Sequence, residues 1–253
     1  VVNKNSTNTN IINNLIFENN SINGGSYGLY LYGRSSGRMA NFSIKNNSIM
    51  NVTKGFVHAE YCSNLLIENN DCFDDSLSTQ NLQGIYVSRA DSAVNIKKNN
   101  LYVKSVAGYN YGIRVNYLFG STTRYTTIEN NMIAMKYATA GGQYGIRIEN
   151  CIYQNVYHNS VRIDHTNPSH SVAIDISGIG GTTYGKTNVV NNIFVNNQGQ
   201  KAFEYTNYGG TYFDSLNYNI YYSTGSGFKY ESTTTGSLSA FQAASGQDAN
   251  SLF

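Results

Sequence analysis

Two short motifs alternate along this chain, and their regular alternation restricts the fold more than any other feature of the sequence. The first motif starts and ends with an apolar residue and has Asn at its fourth position, as in Ile44-Lys-Asn-Asn-Ser-Ile49. The second is a small residue followed by a short alternating strand, as in Gly145-Ile-Arg-Ile148. Eight copies of the first motif carry Asn20, Asn47, Asn70, Asn99, Asn131, Asn159, Asn192 and Asn219. Eight copies of the second begin at Gly28, Gly55, Gly84, Gly112, Gly145, Ala173, Ala202 and Gly227.

The spacing of these motifs predicts a solenoid of stacked β-strands. Apolar residues at every second position are typical of short strands with one buried and one exposed face. The fourth-position asparagines recur every 23 to 33 residues, which leaves no room for a helix in each unit. Stacking the coils at the strand spacing of ~4.8 Å buries the inward residues as continuous ladders and pairs the backbone groups of neighbouring coils.

The fourth-position asparagines predict a sharp bend between two strands. Asn adopts positive φ more readily than other residues except Gly, so we expect these asparagines in the left-handed region. The side-chain amide is both a donor and an acceptor, so stacked copies can hydrogen-bond from coil to coil. We therefore interpret the eight asparagines as a structural ladder and not as catalytic groups.

The repeat, in copies such as Ile67-Glu-Asn-Asn-Asp-Cys72 and Gly112-Ile-Arg-Val115, resembles that of the pectate-lyase-like superfamily over about residues 11–231. The resemblance implies an all-β, right-handed, single-stranded parallel β-helix of about eight coils. It also implies that the Asn bend joins the second and third sheets and that the Gly-led strands form the first sheet. The superfamily includes lyases, hydrolases, epimerases, phage tailspikes and adhesins, so the resemblance implies a fold and no single activity.

The end of the chain departs from the repeat and predicts a cap. The segment from Ser237 to Gly246 has a residue suited to a helix N-cap, good helix formers and a terminal Gly. We expect Leu238 and Phe241 of this short helix to cover the last coil, which would otherwise expose its core. The predicted division is a β-helix domain, residues 1–235, and a C-terminal cap, residues 236–253.

Composition excludes several classes of protein. Charged residues make up 13% and apolar residues 40% of the chain, which is not the profile of a disordered segment. The net charge of +2 comes without a basic run, so we expect no nucleic-acid partner. No stretch approaches the ~18 apolar residues that a membrane span requires, so we expect no membrane insertion.

The start of the chain and its composition give expectations about location. Val1 leads into the repeat without a signal peptide, so the sequence reads as a piece of a larger parent chain with flanking domains. Long repeats rich in Asn, Ser, Thr and Tyr with little charge favour an extracellular or cell-surface location. The odd number of cysteines, Cys62, Cys72 and Cys151, excludes a complete intramolecular set of disulfides, and we expect free structural thiols.

In pectate-lyase-like proteins the substrate groove runs along the first sheet, so outward side chains of the Gly-led strands are the candidate site. The column two residues past each small residue reads Tyr30, Val57, Tyr86, Arg114, Arg147, Asp175, Glu204 and Lys229. The next outward column reads Tyr32, Ala59, Ser88, Asn116, Glu149, Ser177, Thr206 and Glu231. The predicted ligand-binding residues are Tyr30, Tyr86, Arg114, Arg147, Glu149, Asp175, Glu204 and Lys229. The candidate catalytic residues are Arg147, Asp175, Glu204 and Lys229.

These charged columns have two interpretations. One is a solvated ladder in which Arg147 pairs with Asp175 and Glu204 pairs with Lys229, contributing little to stability. The other is a groove for an anionic polysaccharide, in which Arg neutralises uronate carboxylates and Lys229 or Arg147 acts as base. We expect no cofactor, except that in this second interpretation the acids could hold Ca²⁺.

Metal-binding interpretations are weaker than structural ones. Asp71, Asp74 and Asp75 lie in a predicted loop and form either a calcium site or a solvated acidic turn. Another loop has Asp164, His165 and His170, which could bind a metal or carry protons but lack a third well-spaced ligand. His58 falls on an inward position, so a hydrogen-bonded core histidine is expected.

Two functions remain open. The segments that mark β-helical polygalacturonases, pectate lyases and alginate epimerases are missing, and the single proline, Pro168, has no matching context. The preferred hypothesis is an extracellular structural or adhesive segment of a large bacterial surface or secreted protein, with Tyr, Ser and Thr contacting glycans. Exposed tyrosines such as Tyr208, Tyr212 and Tyr222 are a possible protein interface or ordinary edge residues. The alternative function is a polysaccharide lyase or hydrolase acting on an acidic polysaccharide.

Overall fold

The computed structural model describes residues 2–4, 12–78, 80–105, 108–136, 141–164, 170–178, 186–197, 200–206 and 213–253. These residues form three parallel β-sheets that run side by side along one axis.

The first sheet has ten strands and contains the Gly-led motifs. Its strands are β1 (Val2–Lys4), β4 (Tyr27–Tyr32), β7 (Gly55–Glu60), β10 (Gln83–Ser88), β13 (Asn110–Asn116), β16 (Gly142–Glu149), β19 (His170–Ser177), β22 (Lys201–Thr206), β25 (Gly227–Tyr230) and β26 (Thr233–Thr235). All neighbours pair in parallel except β26, which pairs antiparallel with β25 and ends the sheet.

The second sheet has eight parallel strands, each leading into an Asn motif. Its strands are β2 (Ile16–Glu18), β5 (Met39–Lys45), β8 (Cys62–Glu68), β11 (Asp91–Lys97), β14 (Thr126–Glu129), β17 (Gln154–Tyr157), β20 (Thr187–Val190) and β23 (Phe213–Asn217).

The third sheet has eight parallel strands, each following an Asn motif. Its strands are β3 (Ser21–Asn23), β6 (Ser48–Met50), β9 (Asp71–Ser78), β12 (Asn100–Ser105), β15 (Met132–Lys136), β18 (Ser160–Asp164), β21 (Ile193–Asn196) and β24 (Ile220–Ser223).

The chain visits the sheets in a fixed order, so each strand pairs with the equivalent strand of the coils before and after it. The result is an all-β, right-handed parallel solenoid of about seven turns with one short C-terminal helix. This confirms the predicted fold class and the assignment of the Gly-led strands to a single sheet. The Asn motifs lie between the second and third sheets, as the resemblance implies.

The core consists of inward side chains stacked in register. In the first sheet one inward column runs through Ile85, Ile113, Ile146 and Ile174. In the second sheet the matching column runs through Ile44, Ile67, Ile96 and Ile128. All eight are shielded from solvent, so aliphatic burial continues from coil to coil along the axis.

The eight asparagines form a continuous ladder. Asn131 illustrates the pattern: its Oδ1 accepts hydrogen bonds from the backbone N and Nδ2 of Asn99, both at 3.0 Å. Its Nδ2 donates to Oδ1 of Asn159 at 3.0 Å and to the carbonyl oxygen of Ile96 at 3.0 Å. The equivalent Nδ2-to-Oδ1 bond recurs at every step from Asn20 to Asn219.

The left-handed conformation expected at the ladder asparagines is wrong by one position, because it occurs one residue earlier. Positive φ occurs at the residue before each ladder asparagine, and these residues are Asn19, Asn46, Asn69, Lys98, Asn130, His158, Asn191 and Tyr218. The left-handed residue points its side chain outward and turns the chain, while the next residue points its amide inward. The ladder hydrogen bonds are therefore made by the asparagine, and the left-handed turn is made by the residue before it.

The C-terminal helix α1 (Leu238–Ser245) closes the last coil, as predicted. Ser237 is the N-cap and accepts a hydrogen bond from the Ala240 backbone N, and Gly246 ends the helix at φ 64°. Phe241 is completely buried, with its ring 4.8 Å from that of Phe228 and nearly parallel to it. Leu238 is partly buried against the core.

The segment after the helix completes the end of the Asn ladder. The backbone N of Asn219 donates to Oγ of Ser251 at 2.8 Å, which takes the place of a further asparagine. The hydroxyl of Tyr221 donates to Oδ2 of buried Asp248 at 2.7 Å. Because Asp248 is buried, its pKa lies above the ordinary range for Asp.

Candidate functional site

The candidate site is the outer surface of the first sheet, called here the first-sheet face. Strand register places one side chain from each of eight successive strands in a single central column. The column consists of Tyr30, His58, Tyr86, Arg114, Arg147, Asp175, Glu204 and Lys229. Seven of these eight residues are the ones that the sequence places there.

The exception is β7, where the predicted register is wrong by one residue. Gly55 pairs with Tyr27 and Gln83, so Phe56 occupies the position expected for the small residue. Val57 and Ala59 are therefore buried in the core, contrary to the expected outward placement. A one-residue slip exchanges the two faces of a strand, so His58 and Glu60 point outward. His58 is thus a member of the face and not the inward histidine expected from the sequence.

Aromatic rings form the N-terminal part of the central column. The His58 ring is stacked on Tyr30, with centroids 4.6 Å apart and planes 16° apart, and lies 4.8 Å from Tyr86 on its other side. Nε2 of His58 is 2.9 Å from Oε1 of Glu60. This hydrogen bond is the main reason why the pKa of Glu60 is lowered, and Arg89 adds to it at 3.1 Å.

Arginine and tyrosine alternate in the middle of the face. The guanidinium of Arg114 lies over the rings of Tyr86 and Tyr111, at 5.4 and 4.8 Å from their centroids. Arg147 lies 4.5 Å from the centroid of Tyr144, and the Tyr111 and Tyr144 rings are stacked at 5.2 Å. Burial raises the pKa of Tyr111 and Tyr144, so both phenols remain neutral near pH 7.

Each charged side chain in this middle region has a partner of opposite sign. Glu149 joins the two stacked arginines: its carboxylate is 2.6 Å from Nε of Arg114 and 3.0 Å from Nη2 of Arg147. Nε of Arg147 is also 3.0 Å from Oδ2 of Asp175. The like charges on adjacent strands are therefore compensated by carboxylates on the same face.

Glu204 is the common partner of three basic side chains in the C-terminal coils. Its carboxylate lies 2.7 Å from Nζ of Lys229, 3.2 Å from Nζ of Lys201 and 3.5 Å from Nε2 of His170. Both pairs of the solvated-ladder interpretation, Arg147 with Asp175 and Glu204 with Lys229, are thus within ion-pair distance. The two acidic residues are only 5 and 6% exposed, whereas the side chains of Arg147 and Lys229 are 21 and 27% exposed, so the pairs are partly buried.

Burial gives the two adjacent carboxyls different proton affinities. Desolvation raises the pKa of Asp175 to about 7, with Arg147 opposing the rise and Glu204 adding to it. Burial also acts to raise the pKa of Glu204, but Lys229, Lys201 and His170 outweigh it and hold the pKa below its usual range. For His170, desolvation dominates over the attraction of Glu204 and lowers the pKa. The pair therefore contains one carboxyl able to carry a proton near neutral pH and one that stays ionised.

An open depression adjoins the aromatic end of the face. It is lined by Tyr27, Lys54, Gln80, Asn81 and Gln83. Apart from Tyr27 and Gln83, these residues precede the strands of the sheet, and the alternation pattern that identifies outward strand positions does not identify them. Their clustering depends on how the turns before β7 and β10 stack.

The predicted metal sites do not assemble among the described residues. Asp71, Asp74 and Asp75 lie in strand β9 and not in a loop, so the chain alternation points Asp74 to the side opposite Asp71 and Asp75. Asp74 is buried, whereas Asp71 accepts from Nδ2 of Asn100 at 3.0 Å and Asp75 pairs with Lys104. In the described part of the chain, no three His, Cys, Asp or Glu side chains are arranged to hold a metal ion.

The other candidates are also dispersed. Asp164 lies on the outside of the third sheet and pairs with Arg162 at 2.6 Å, whereas His170 belongs to the first-sheet face. His165, Pro168, Tyr208 and Tyr212 lie outside the described residues. Tyr222 is exposed on the third sheet.

The three cysteines are buried free thiols, in agreement with the sequence prediction. Burial raises the pKa of Cys62 and Cys151 to about 12, and that of Cys72 higher still. Such thiols remain protonated and are poor nucleophiles and metal ligands.

In the described part of the chain, no helix has the length and apolar character needed to cross a bilayer.

Comparison with known proteins bears on the fold. No curated protein and no solved structure matches the chain. A family model described as a right-handed beta helix region matches residues 1–151, more than half of the 253 residues. The chain therefore belongs to the family of right-handed β-helix regions.

Proposed function

We propose that this chain is a structural and adhesive β-helix segment of a larger extracellular protein, of the bacterial surface or secreted, and that its first-sheet face contacts glycans. The β-helix fold is consistent with a carbohydrate-related or surface protein. The observation that carries the proposal is the central column itself. Eight successive strands each present one polar or aromatic side chain in register, which suits a linear polymer lying along the axis.

The structural part of the proposal rests on how the solenoid is held together. Every coil bonds to its neighbours through three sheets, a buried aliphatic column and the Asn ladder. Interactions of this kind repeat with each added coil, so the molecule is a stiff rod that can hold a binding surface away from its point of attachment.

The adhesive part rests on the chemistry of the face. The two sides of the His58 ring are occupied by Tyr30 and Tyr86, so a ligand that reaches this column meets ring edges and phenol groups. Tyr32, Asn116 and Thr206 lie in the neighbouring column and are partly exposed. Phenols, amides and hydroxyls that are held by a rigid sheet are suitable partners for sugar hydroxyls.

The proposal is tested by measuring binding of the chain to a panel of immobilised polysaccharides and oligosaccharides. We expect Tyr86→Ala to weaken binding of a retained glycan by about tenfold or more, because the substitution removes a contact and the packing of His58 and Arg114. Tyr102→Ala is the matched control, since Tyr102 is a partly exposed tyrosine of the same coil on the third sheet. Equal losses in both variants, or no glycan bound by the native chain, would refute the proposal.

A second candidate function is hydrolysis or lysis of an acidic polysaccharide, and the Asp175–Glu204 pair favours it. One carboxyl with a pKa of about 7 beside an ionised one is the pairing that general acid–base catalysis requires. The near-complete burial of both groups argues against direct contact with a substrate. Release of reducing or unsaturated sugars by the native chain, with and without Ca²⁺, and its loss in Asp175→Asn, Arg147→Ala or Lys229→Ala would favour this function over adhesion.

A further inference from the structure

We infer that the glycan held on the first-sheet face is a neutral, hydroxyl-rich polymer and not an acidic polysaccharide. The inference rests on the proposed glycan-binding function and specifies the chemical class of the ligand. It departs from the anionic-polysaccharide groove considered from the sequence, because the charges on the face have partners within the protein.

The carboxylates and the basic groups of the face balance each other. From β4 to β25 its strands carry four carboxyl groups, Glu60, Glu149, Asp175 and Glu204, and four Arg or Lys side chains, Arg114, Arg147, Lys201 and Lys229. Each of the eight has a partner of opposite charge at 3.2 Å or less. A polyanion lying along the column would therefore meet a carboxyl group beside each of these basic side chains.

The arginines are also unable to turn toward a ligand without loss of other contacts. Arg147 is bound between Glu149 and Asp175 and lies against the ring of Tyr144, and Arg114 is held by Glu149 between two tyrosine rings. Rotation of Arg147 toward a uronate would leave Asp175, which is 5% exposed, without its compensating charge. The two arginines are therefore held in place by contacts within the protein.

Lys54 is the exception at the margin of the face. It is exposed beside the depression formed with Tyr27 and Gln83, and no carboxylate lies within 4.0 Å of its ammonium group among the described residues. A polysaccharide with a charge on each repeating unit needs a cation on successive coils, and one lysine at one coil does not supply them. Substitution of Lys54 can therefore distinguish binding of an acidic polysaccharide from binding of a neutral one.

Apart from Lys54, the groups that remain for a ligand are neutral. They are the phenols of Tyr27, Tyr30, Tyr32 and Tyr86 and the amide of Gln83, which lie together in the first three coils of the face. Binding through neutral donors and acceptors depends little on ionic strength, whereas binding of a polyanion weakens as salt screens the charges. Salt dependence is therefore a direct measure of the ligand class.

The test is affinity electrophoresis of the full chain in gels that contain a neutral polysaccharide (xylan, mixed-linkage glucan or galactomannan) or an acidic one (polygalacturonate, alginate or hyaluronan), at low and high salt. We expect retardation by at least one neutral polysaccharide, with the affinity unchanged within about twofold by salt. Lys54→Ala should also leave it within about twofold. Tyr30→Phe with Tyr86→Phe should reduce it at least about fivefold, since both substitutions remove hydroxyls and retain the rings.

Binding to acidic polysaccharides alone, with an affinity that falls with salt and in Lys54→Ala, would overturn the inference while leaving the proposed glycan binding intact. Absence of binding to every polysaccharide would overturn both.

Discussion

At the scale of single residues, the amide of asparagine explains the most constant feature of this chain. One side chain at the bend accepts from the previous coil, donates to the next and also donates to a backbone carbonyl, as Asn131 does. A side chain with only donors or only acceptors leaves part of this pattern unmade. Because the amides are buried, an unmade hydrogen bond leaves a desolvated polar group.

Asn131→Ala is therefore expected to reduce the free energy of unfolding by about 2–4 kcal/mol, since it leaves buried donors of Asn99 without their acceptor and removes one of the two donors to Oδ1 of Asn159. Chemical denaturation followed by circular dichroism measures the change. Asn20→Ala is the control at the exposed end of the same ladder, where a loss below about 1 kcal/mol is expected. Equal losses at the two positions would show that the ladder contributes no more in the core than at its end.

Asp175 predicts a pH dependence of stability. Its pKa rises from an ordinary value of 3.8 to about 7 on folding, so the folded state favours the protonated carboxyl. The unfolded chain releases this proton near pH 4, whereas the folded chain holds it to about pH 7. The contribution of Asp175 to stability is therefore complete below pH 4 and is lost as the pH rises through 7.

We expect the melting temperature of Asp175→Asn, relative to the native chain, to increase between pH 4 and pH 8, because the variant has no proton to lose. The rise in the pKa of Asp175 on folding corresponds to a change of at most ~4 kcal/mol in the free energy of unfolding over this pH range. The attraction of Arg147 acts on the ionised form of Asp175 and is already contained in this pKa, so it adds no separate contribution to the trend. Calorimetry across this range measures the trend, and Asp71→Asn, on the third sheet, is the control for removal of a carboxylate. A constant difference across the range would contradict the prediction.

At the scale of strands and turns, small residues mark the corner where the chain passes from the third sheet to the first. A Cβ on Gly145 would lie 2.5 Å from the carbonyl oxygen of Ala173 and would overlap Cγ1 of Val161. The restriction is therefore one of close packing between sheets. The same corner accepts Phe56 in β7, so the size limit is set by the local neighbours of each coil.

Gly145→Ala is expected to lower the unfolding free energy by about 1–3 kcal/mol, because the added methyl group must displace buried backbone. The measurement is thermal unfolding of the variant beside Gly236→Ala, where the nearest atom to an added Cβ is 3.5 Å away and little change is expected. A neutral Gly145→Ala would show that this corner can move apart without cost.

At the scale of the whole molecule, the solenoid is a linear array in which each coil contacts mainly its neighbours. Disruption of one coil therefore spreads along the axis only through adjacent interfaces. The last coil is stabilised by the cap, where Phe241 lies against Phe228 and Phe203. The cap should accordingly matter most for the coils nearest to it.

Phe241→Ala is expected to cost about 3–5 kcal/mol, because it opens a cavity beneath the helix. Hydrogen exchange read by mass spectrometry should show faster exchange in β22 to β25 and unchanged exchange in β4 to β10. Leu238→Ala, which removes a partly buried residue of the same helix, should have a smaller effect. Uniform acceleration along the whole chain would instead indicate that the solenoid unfolds as one cooperative unit.

The sequence by itself determined the architecture. Four features can be read from the chain: the period of the two motifs, the inward apolar positions, the column of asparagines and the capping helix. Each follows from a local rule that does not depend on distant neighbours. Most of the central column of the first-sheet face follows as well, since alternation along a strand separates the inward from the outward side chains.

Tertiary structure decided what the outward residues do. His58 lies on the face because Phe56, and not Gly55, aligns with the small residues of the neighbouring coils. Arg147 is bound to two carboxylates from its own strand and the next, and Asp75 and Asp74 point to opposite sides of β9. Outward partners depend on the register between coils and on the turns that set it. A repeat that specifies only the core therefore leaves the charge pairing, and with it the class of ligand, to the assembled structure.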